Sequence, residues 1–203
     1  MPYDLDILAG YEPQRPAAEI ERFQIELDLD VNLIEAWTYT RRFCSTINHV
    51  AEHKHQLPKE ALLNSMASVM YRLLHMRSFN PASINEALRL GLLVFSSHIF
   101  LNWQDVKPRH TQLPHIYRSC LFNFKMPSTM PPQILLWLLI IGSISTFTSE
   151  DDTWLIPWVR VNVELCEVRS WSELRIGLKA CPWIDFLHNQ LGSCVLDKAL
   201  SPQ

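Results

Sequence analysis

The stretch from Ile84 to Trp103 constrains this chain more than any other. Wound at 3.6 residues per turn, it is apolar on most sides through Leu88, Leu90, Leu92, Leu93, Val94, Phe95, Ile99 and Phe100. A helix with that surface needs neighbours all round, so it is expected at the centre of the fold. Ser83, with Glu86 three residues on, forms a capping box that marks its start. A second apolar run, Ile134 to Phe147, follows Pro131-Pro132, a pair suited to a helix's first turn. It falls short of the roughly 20 residues a bilayer span demands and contains Gly142, Ser143 and Ser145, which makes it a buried core helix. Gly142 is expected to permit a close helix crossing.

The punctuation elsewhere is that of helices broken by proline, with 13 prolines against only 5 glycines. Asn32 with Glu35 makes a variant capping box, after which Leu33, Trp37, Thr40, Cys44, Ile47 and Ala51 recur at helical steps. Pro58 opens a second helix, striped by Leu62, Leu63, Met66, Val69, Met70, Leu73 and Leu74, which should stop before Asn80-Pro81. A shorter helix carries Leu113, Ile116, Tyr117, Cys120, Leu121 and Phe124. Ser149 to Asp152 supplies caps and acids for another, which kinks or begins at Pro157. Ser170 or Ser172 caps the next, and a short amphipathic piece follows Gly192.

Residues 1–31 are expected to be an extended N-terminal segment. From Phe23 to Val31 apolar and polar residues alternate at the period of a half-buried strand. That piece is a segment docked on the helices, an edge awaiting a partner, or the approach to the first helix. The expected fold class is therefore all-α, one multi-helix domain over 32–203 behind this lead-in, and 203 residues suffice for one sizeable core.

Composition narrows function. With 48% hydrophobic and 19% charged residues the chain should fold rather than remain disordered. A net charge of −3 lacks the basic excess of a nucleic-acid surface, so direct DNA binding is not expected. The N-terminus has acids and prolines where a secretory signal needs positive charge and an apolar stretch. Cys44, Cys120, Cys166, Cys181 and Cys194 show no C-x-x-C spacing and are expected to be buried reduced thiols, in keeping with a nuclear or cytosolic protein.

His49-Val50-Ala51-Glu52-His53 matches the H-x-x-E-H pattern, in which two histidines hold zinc and the glutamate acts as base. The string also fits a histidine-rich polar helix end, since a third ligand would have to come from elsewhere, and we expect neither a metal site nor catalytic residues. His110 and His115 bracket a basic turn with Lys107 and Arg109. Arg89, inside the most apolar helix, needs a partner, and Glu86 one turn earlier can supply it as an exposed or a buried pair. Of seven tryptophans, Trp37, Trp137 and Trp183 are candidates for core or pocket positions, alongside Trp154 and Trp171, while any exposed ones would mark an interface.

The string Asn85-Glu86-Ala87-Leu88-Arg89-Leu90-Gly91-Leu92-Leu93-Val94-Phe95 resembles the N-E-A-x-R-L-x-L-L-x-F helix of the fungal-specific transcription factor domain. Met70 to Leu74, Leu136 to Leu139 with Ile141-Gly142, Ser170 to Leu174, and Trp183 to Asp185 with His188 resemble the same family in the same order. The resemblance implies a helical regulatory domain, a nuclear location and no cofactor. Its six-cysteine binuclear zinc cluster is missing from these residues, so the chain is expected to be a truncated protein, a mis-split gene product, or a relative that acts without binding DNA directly. Protein partners, a second copy or a full-length relative, are expected. The alternatives are a small-metabolite sensor and, behind it, a metal-dependent hydrolase.

Overall fold

The computed structural model describes residues 28–54, 59–104, 112–124 and 130–201. Among these, 80% are helical and none lies in a strand. Eight α-helices follow in order: α1 (Val31–Glu52), α2 (Lys59–His75), α3 (Ile84–Gln104), α4 (Leu113–Leu121), α5 (Pro132–Ser145), α6 (Asp152–Leu165), α7 (Trp171–Leu178) and α8 (Asp185–Leu200). Short 3-10 turns, Phe122–Phe124 and Ser149–Asp151, end α4 and lead into α6. All belong to one compact domain, as the periodicity requires.

The two apolar runs are the two hubs. α3 packs against α1, α2, α4 and α5, while α5 packs against α3, α6, α7 and α8. Every residue of α5 from Ile134 to Gly142 is buried. Each such aliphatic side chain contributes about 1.5–3 kcal/mol relative to exposure. The close approach of the hubs occurs at Gly91 rather than Gly142. A Cβ on Gly91 would overlap Leu138 Cδ2 and lie 3.1 Å from Trp137 Cζ3. Gly142 instead makes room for the rings of Phe147 and Tyr117, so it accommodates a folded-back side chain and not a helix crossing.

Several boundaries differ from expectation, each for a local reason. Asp30, not Asn32, caps α1, its Oδ1 accepting from the N–H groups of Asn32 (2.9 Å) and Leu33 (3.3 Å). The alternating segment therefore ends earlier than its pattern suggests: Asp28 lies in a turn, Val31 opens the helix, and Phe23 to Leu27 lie outside the described residues, as does the rest of the lead-in. Ser170 caps α7 by accepting from Glu173 N–H (3.3 Å). α6 starts at Asp152, as the caps and acids there suggest, and runs through the exposed Pro157, whose missing N–H leaves the Thr153 carbonyl without its helical partner. Thr148 completes a capping box with Asp151 ahead of it. The last helix begins at Asp185, not after Gly192. Gly192 sits buried in its middle because the rings of Trp171 and Trp183 lie against that backbone, where a Cβ would meet them at 2.8 and 3.0 Å. That packing outweighs the roughly 1 kcal/mol helix cost of glycine.

Candidate functional site

Three side chains from the first turns of α3 organise the corner where α1, α2 and the 76–83 connection meet. Ser83 Oγ accepts from Glu86 N–H (3.2 Å), but the Glu86 carboxylate does not return to Ser83. Its Oε2 accepts from Phe79 N–H (3.0 Å) and from Arg89 Nε (2.9 Å), and its Oε1 accepts from Arg89 Nη2 (2.6 Å). Arg89 Nη1 also donates to the Leu73 carbonyl (3.2 Å), one of the last carbonyls of α2, which have no partner within their own helix. The Glu86–Arg89 pair is thus the buried alternative, with side chains 7% and 12% exposed. Burial pushes the Glu86 carboxyl up, but the hydrogen bonds from Arg89 and Phe79 outweigh it and hold it below the ordinary carboxylate range.

Asn85 completes the set. Its Oδ1 accepts from Asp30 N–H (2.9 Å) and its Nδ2 donates to the Asp28 carbonyl (3.4 Å), fixing the entry to α1. Nothing in the hydrophobic pattern singles out Asn85; an asparagine one residue before a charged pair carries no periodic signal.

This corner frames an open groove of about 580 Å³, within the range of ligand and peptide sites. Asp30, Asn32 and Glu35 form one wall from the cap and start of α1, while Tyr71, Arg72, His75 and Met76 form the other from the end of α2, and Arg77 and Phe79 close the end. The charges suit the helix ends they occupy, carboxylates at an N-terminus and cations at a C-terminus. Glu35 and Arg72 meet across the groove at 3.6 Å, a solvated pair worth no more than about 1 kcal/mol. The Tyr71 and His75 rings lie 3.8 Å apart, tilted by 30°, with His75 Nδ1 2.9 Å from the Tyr71 carbonyl, to which it can donate. The groove therefore offers opposite charges on facing walls and an end that pairs the Phe79 ring with the Arg77 guanidinium, an arrangement that can bind an extended chain or a molecule carrying both charges.

The candidate tryptophans belong to the core, not to this groove. Trp37, Trp137 and Trp183 are all buried; Trp37 and Trp137 pack edge to face at 4.9 Å. Trp137 Nε1 donates to the Pro182 carbonyl (3.0 Å) and Trp183 Nε1 to Asn189 Oδ1 (2.9 Å). Asn48 of α1 grips the same turn, donating to the Trp183 carbonyl (2.9 Å) and accepting from Asp185 N–H (2.9 Å). His188 Nδ1 accepts from Ile184 N–H (2.9 Å), which places the ring proton on Nε2. Burial first, and the neighbouring His98 second, push the His188 imidazole down to about 3. The other described tryptophans, Trp154, Trp158 and Trp171, are half-buried, so none of the six marks an exposed interface; the exposed large apolar side chains include Tyr71, Leu74, Ile176 and Phe186.

The H-x-x-E-H residues sit on the last turn and cap of α1, where the His49 and His53 rings lie 4.1 Å apart and His53 Nδ1 faces the His49 carbonyl. Among the described residues no group of three or more His, Cys, Asp or Glu is placed to hold a metal ion. His115 is exposed on α4, and the remainder of the basic turn, including His110, lies outside the described residues. Cys44, Cys120 and Cys181 are buried, with the Cys120 and Cys181 thiols pushed up by burial to about 12. Cys194 is exposed and Cys166 half-buried, which corrects the expectation for those two. No described helix is long and apolar enough to cross a membrane. Comparison of the chain with protein-family models, with curated proteins and with solved structures finds no match, so the resemblance to the fungal-specific transcription factor domain rests on the residues quoted for it.

Proposed function

We propose that the chain is the regulatory helical domain of a fungal zinc-cluster-type transcription factor, acting in the nucleus through protein contacts rather than by contacting DNA. The observation that carries this reading is the Asn85-Glu86-Ala87-Leu88-Arg89 string. Its three polar residues hold the starts and ends of neighbouring elements, while its apolar residues line the core. A string with that division of labour is what a recurring helical domain would keep, which supports the likeness physically. The acidic balance supports the absence of direct DNA contact. The test fuses the whole chain to a heterologous DNA-binding domain in fungal cells. A severalfold change in reporter transcription and nuclear accumulation are expected, and an inert, cytoplasmic fusion refutes the reading. Nanomolar, sequence-dependent duplex binding by the isolated chain at physiological salt refutes the mode of action.

A second reading, a small-metabolite sensor, is favoured by the facing carboxylate and guanidinium walls of the α1–α2 groove. A metabolite carrying both charges should then raise the melting temperature by mass action, and Glu35→Gln should abolish that rise.

A further inference from the structure

We infer that the rims of the α1–α2 groove are the surface through which two copies of this chain pair, about a two-fold axis running along the groove. This rests on the reading that the chain acts through protein contacts, and deepens it by naming the partner and the face. The first support is charge. A two-fold interface uses one patch twice, so the patch must complement itself. Rotation about the length of the groove carries the acidic rim of one copy, Asp30 and Glu35, onto the basic rim of the other, Arg72, His75 and Arg77. Within one chain only part of this charge is used. Glu35 meets Arg72 at 3.6 Å, whereas Asp30, which spends one carboxylate oxygen on capping α1, and Arg77 have no ion-pair partner among the described residues. Two copies of a chain with a net charge of −3 repel on average, but this patch sets two carboxylates against two guanidinium groups and meets its own copy without that penalty.

The second support is exposed apolar surface beside those charges. Val31, one turn ahead of Glu35 on α1, is 64% exposed, and Tyr71 and Leu74 on α2 are 57% and 64% exposed. A small ligand on the groove floor would leave Val31 and Leu74 in water, because neither lines it. A second copy lying across both rims reaches beyond the floor. Tyrosine and arginine together are also the residue types that carry most of the energy of protein interfaces. The contact is small and partly solvated, which fits a dimer that dissociates in roughly the micromolar range.

Sedimentation equilibrium on the intact chain, kept reduced so that exposed Cys194 cannot cross-link copies, tests this. From low micromolar to near-millimolar protein, the average mass should climb from 23.6 kDa toward twice that value, and climb less at high salt. Arg77→Glu and Glu35→Lys, both on exposed side chains, should each weaken association about tenfold or more by setting like charges face to face. Mixing the two variants should restore it, because the mixed dimer pairs unlike charges at both contacts. Circular dichroism should show both variants as helical as the wild type. A wild-type chain that stays monomeric at the highest concentration overturns the proposal. So does a dimer that either reversal leaves intact, and so does a mixture that stays monomeric. A monomer that still changes reporter transcription overturns this inference alone and leaves the regulatory reading standing.

Discussion

Two turns of this molecule are fastened by side chains reaching backbone groups, with opposite chemistry. At the α2–α3 corner the work is ionic: Glu86 and Arg89 hold Phe79 N–H and the Leu73 carbonyl. At the α7–α8 turn it is neutral: Trp137, Asn48 and His188 hold the backbone of Pro182 to Asp185. The neutral partners Trp137 and His188 are fully buried, whereas the ion pair keeps a fringe of exposure. Taking charge out of water costs several kcal/mol per ion and an indole N–H much less, so polarity decides how deep each fastening can lie. The charges near the second turn follow the same rule, for Asp185 meets Arg175 (2.7 Å) and Lys179 (2.8 Å) at the periphery. The shallow corner borders the groove, and the deep turn serves packing.

The largest effect should come from the deep turn. Trp137→Ala removes a fully buried indole that packs on Trp37 and Phe95 and holds Pro182. Denaturant titration should show a loss of about 3–5 kcal/mol, a large part of the roughly 5–15 kcal/mol that holds a typical domain folded. A loss below about 1 kcal/mol would make the two fastenings energetically alike.

At the corner, Arg89→Met should cost about 3 kcal/mol, because it strands a largely buried carboxylate. The pair Glu86→Gln with Arg89→Met should recover most of that loss, since no charge is then left unpartnered. An equal or greater loss in the double variant would mean that packing of the Arg89 stem, rather than charge, sets the value.

The sequence made the hubs legible because periodicity is a property of many residues at once. α3 and α5 announce themselves through long apolar runs, and Glu86 with Arg89 stands out as charge amid apolar neighbours. What stayed hidden depends on single residues whose partners are distant in the chain. Asn48 reaches the backbone of Trp183 and Asp185, and Asn85 reaches back to Asp28 and Asp30. Gly192 looked like a helix break because sequence shows a glycine's low propensity and not the two indoles that occupy its missing Cβ. Pro157 read as a kink or a start, and the helix runs through it from Asp152. The groove was illegible because its walls come from the opposite ends of two helices.

The two regions should also separate by pH. A buried His188 held neutral in the fold, with an ordinary value near 6.5 when unfolded, binds fewer protons folded than unfolded between those values. Stability contributed there is full above about pH 6.5 and falls as pH drops, by about 1.4 kcal/mol per unit, so about 2 kcal/mol from pH 6.5 to 5. Burial pushes His98 the same way and adds to the slope. Glu86 behaves differently: its depressed value leaves its contribution intact above about pH 4.3, to be lost as pH falls through the folded value. His188→Gln, whose amide oxygen can still accept from Ile184 N–H, should flatten the upper window and leave the lower one in place. A slope that stays unchanged in that variant would assign the upper window to other groups.

The smallest effect should come from Asn85→Ala, and it sharpens the comparison because the deep turn has its own counterpart in Asn48. Each asparagine spends its carbonyl oxygen on a backbone N–H and its amide on a backbone carbonyl. Both contacts of Asn48 measure 2.9 Å and tie α1 to a turn that Trp137 and His188 also hold. Asn85 makes one contact of that length and one of 3.4 Å, to a turn at the edge of the described chain. A net hydrogen bond is worth about 1 kcal/mol, so Asn85→Ala should cost about that or less, and Asn48→Ala about twice as much. Exchange should divide the same way: in Asn85→Ala the Asp30 amide quickens while α3 and α5 keep their protection, whereas in Asn48→Ala the loss spreads to Ile184 and Asp185 and lowers global stability. Equal costs for the two substitutions would mean that depth does not separate the fastenings, and that the entry to α1 is bound as tightly as the core.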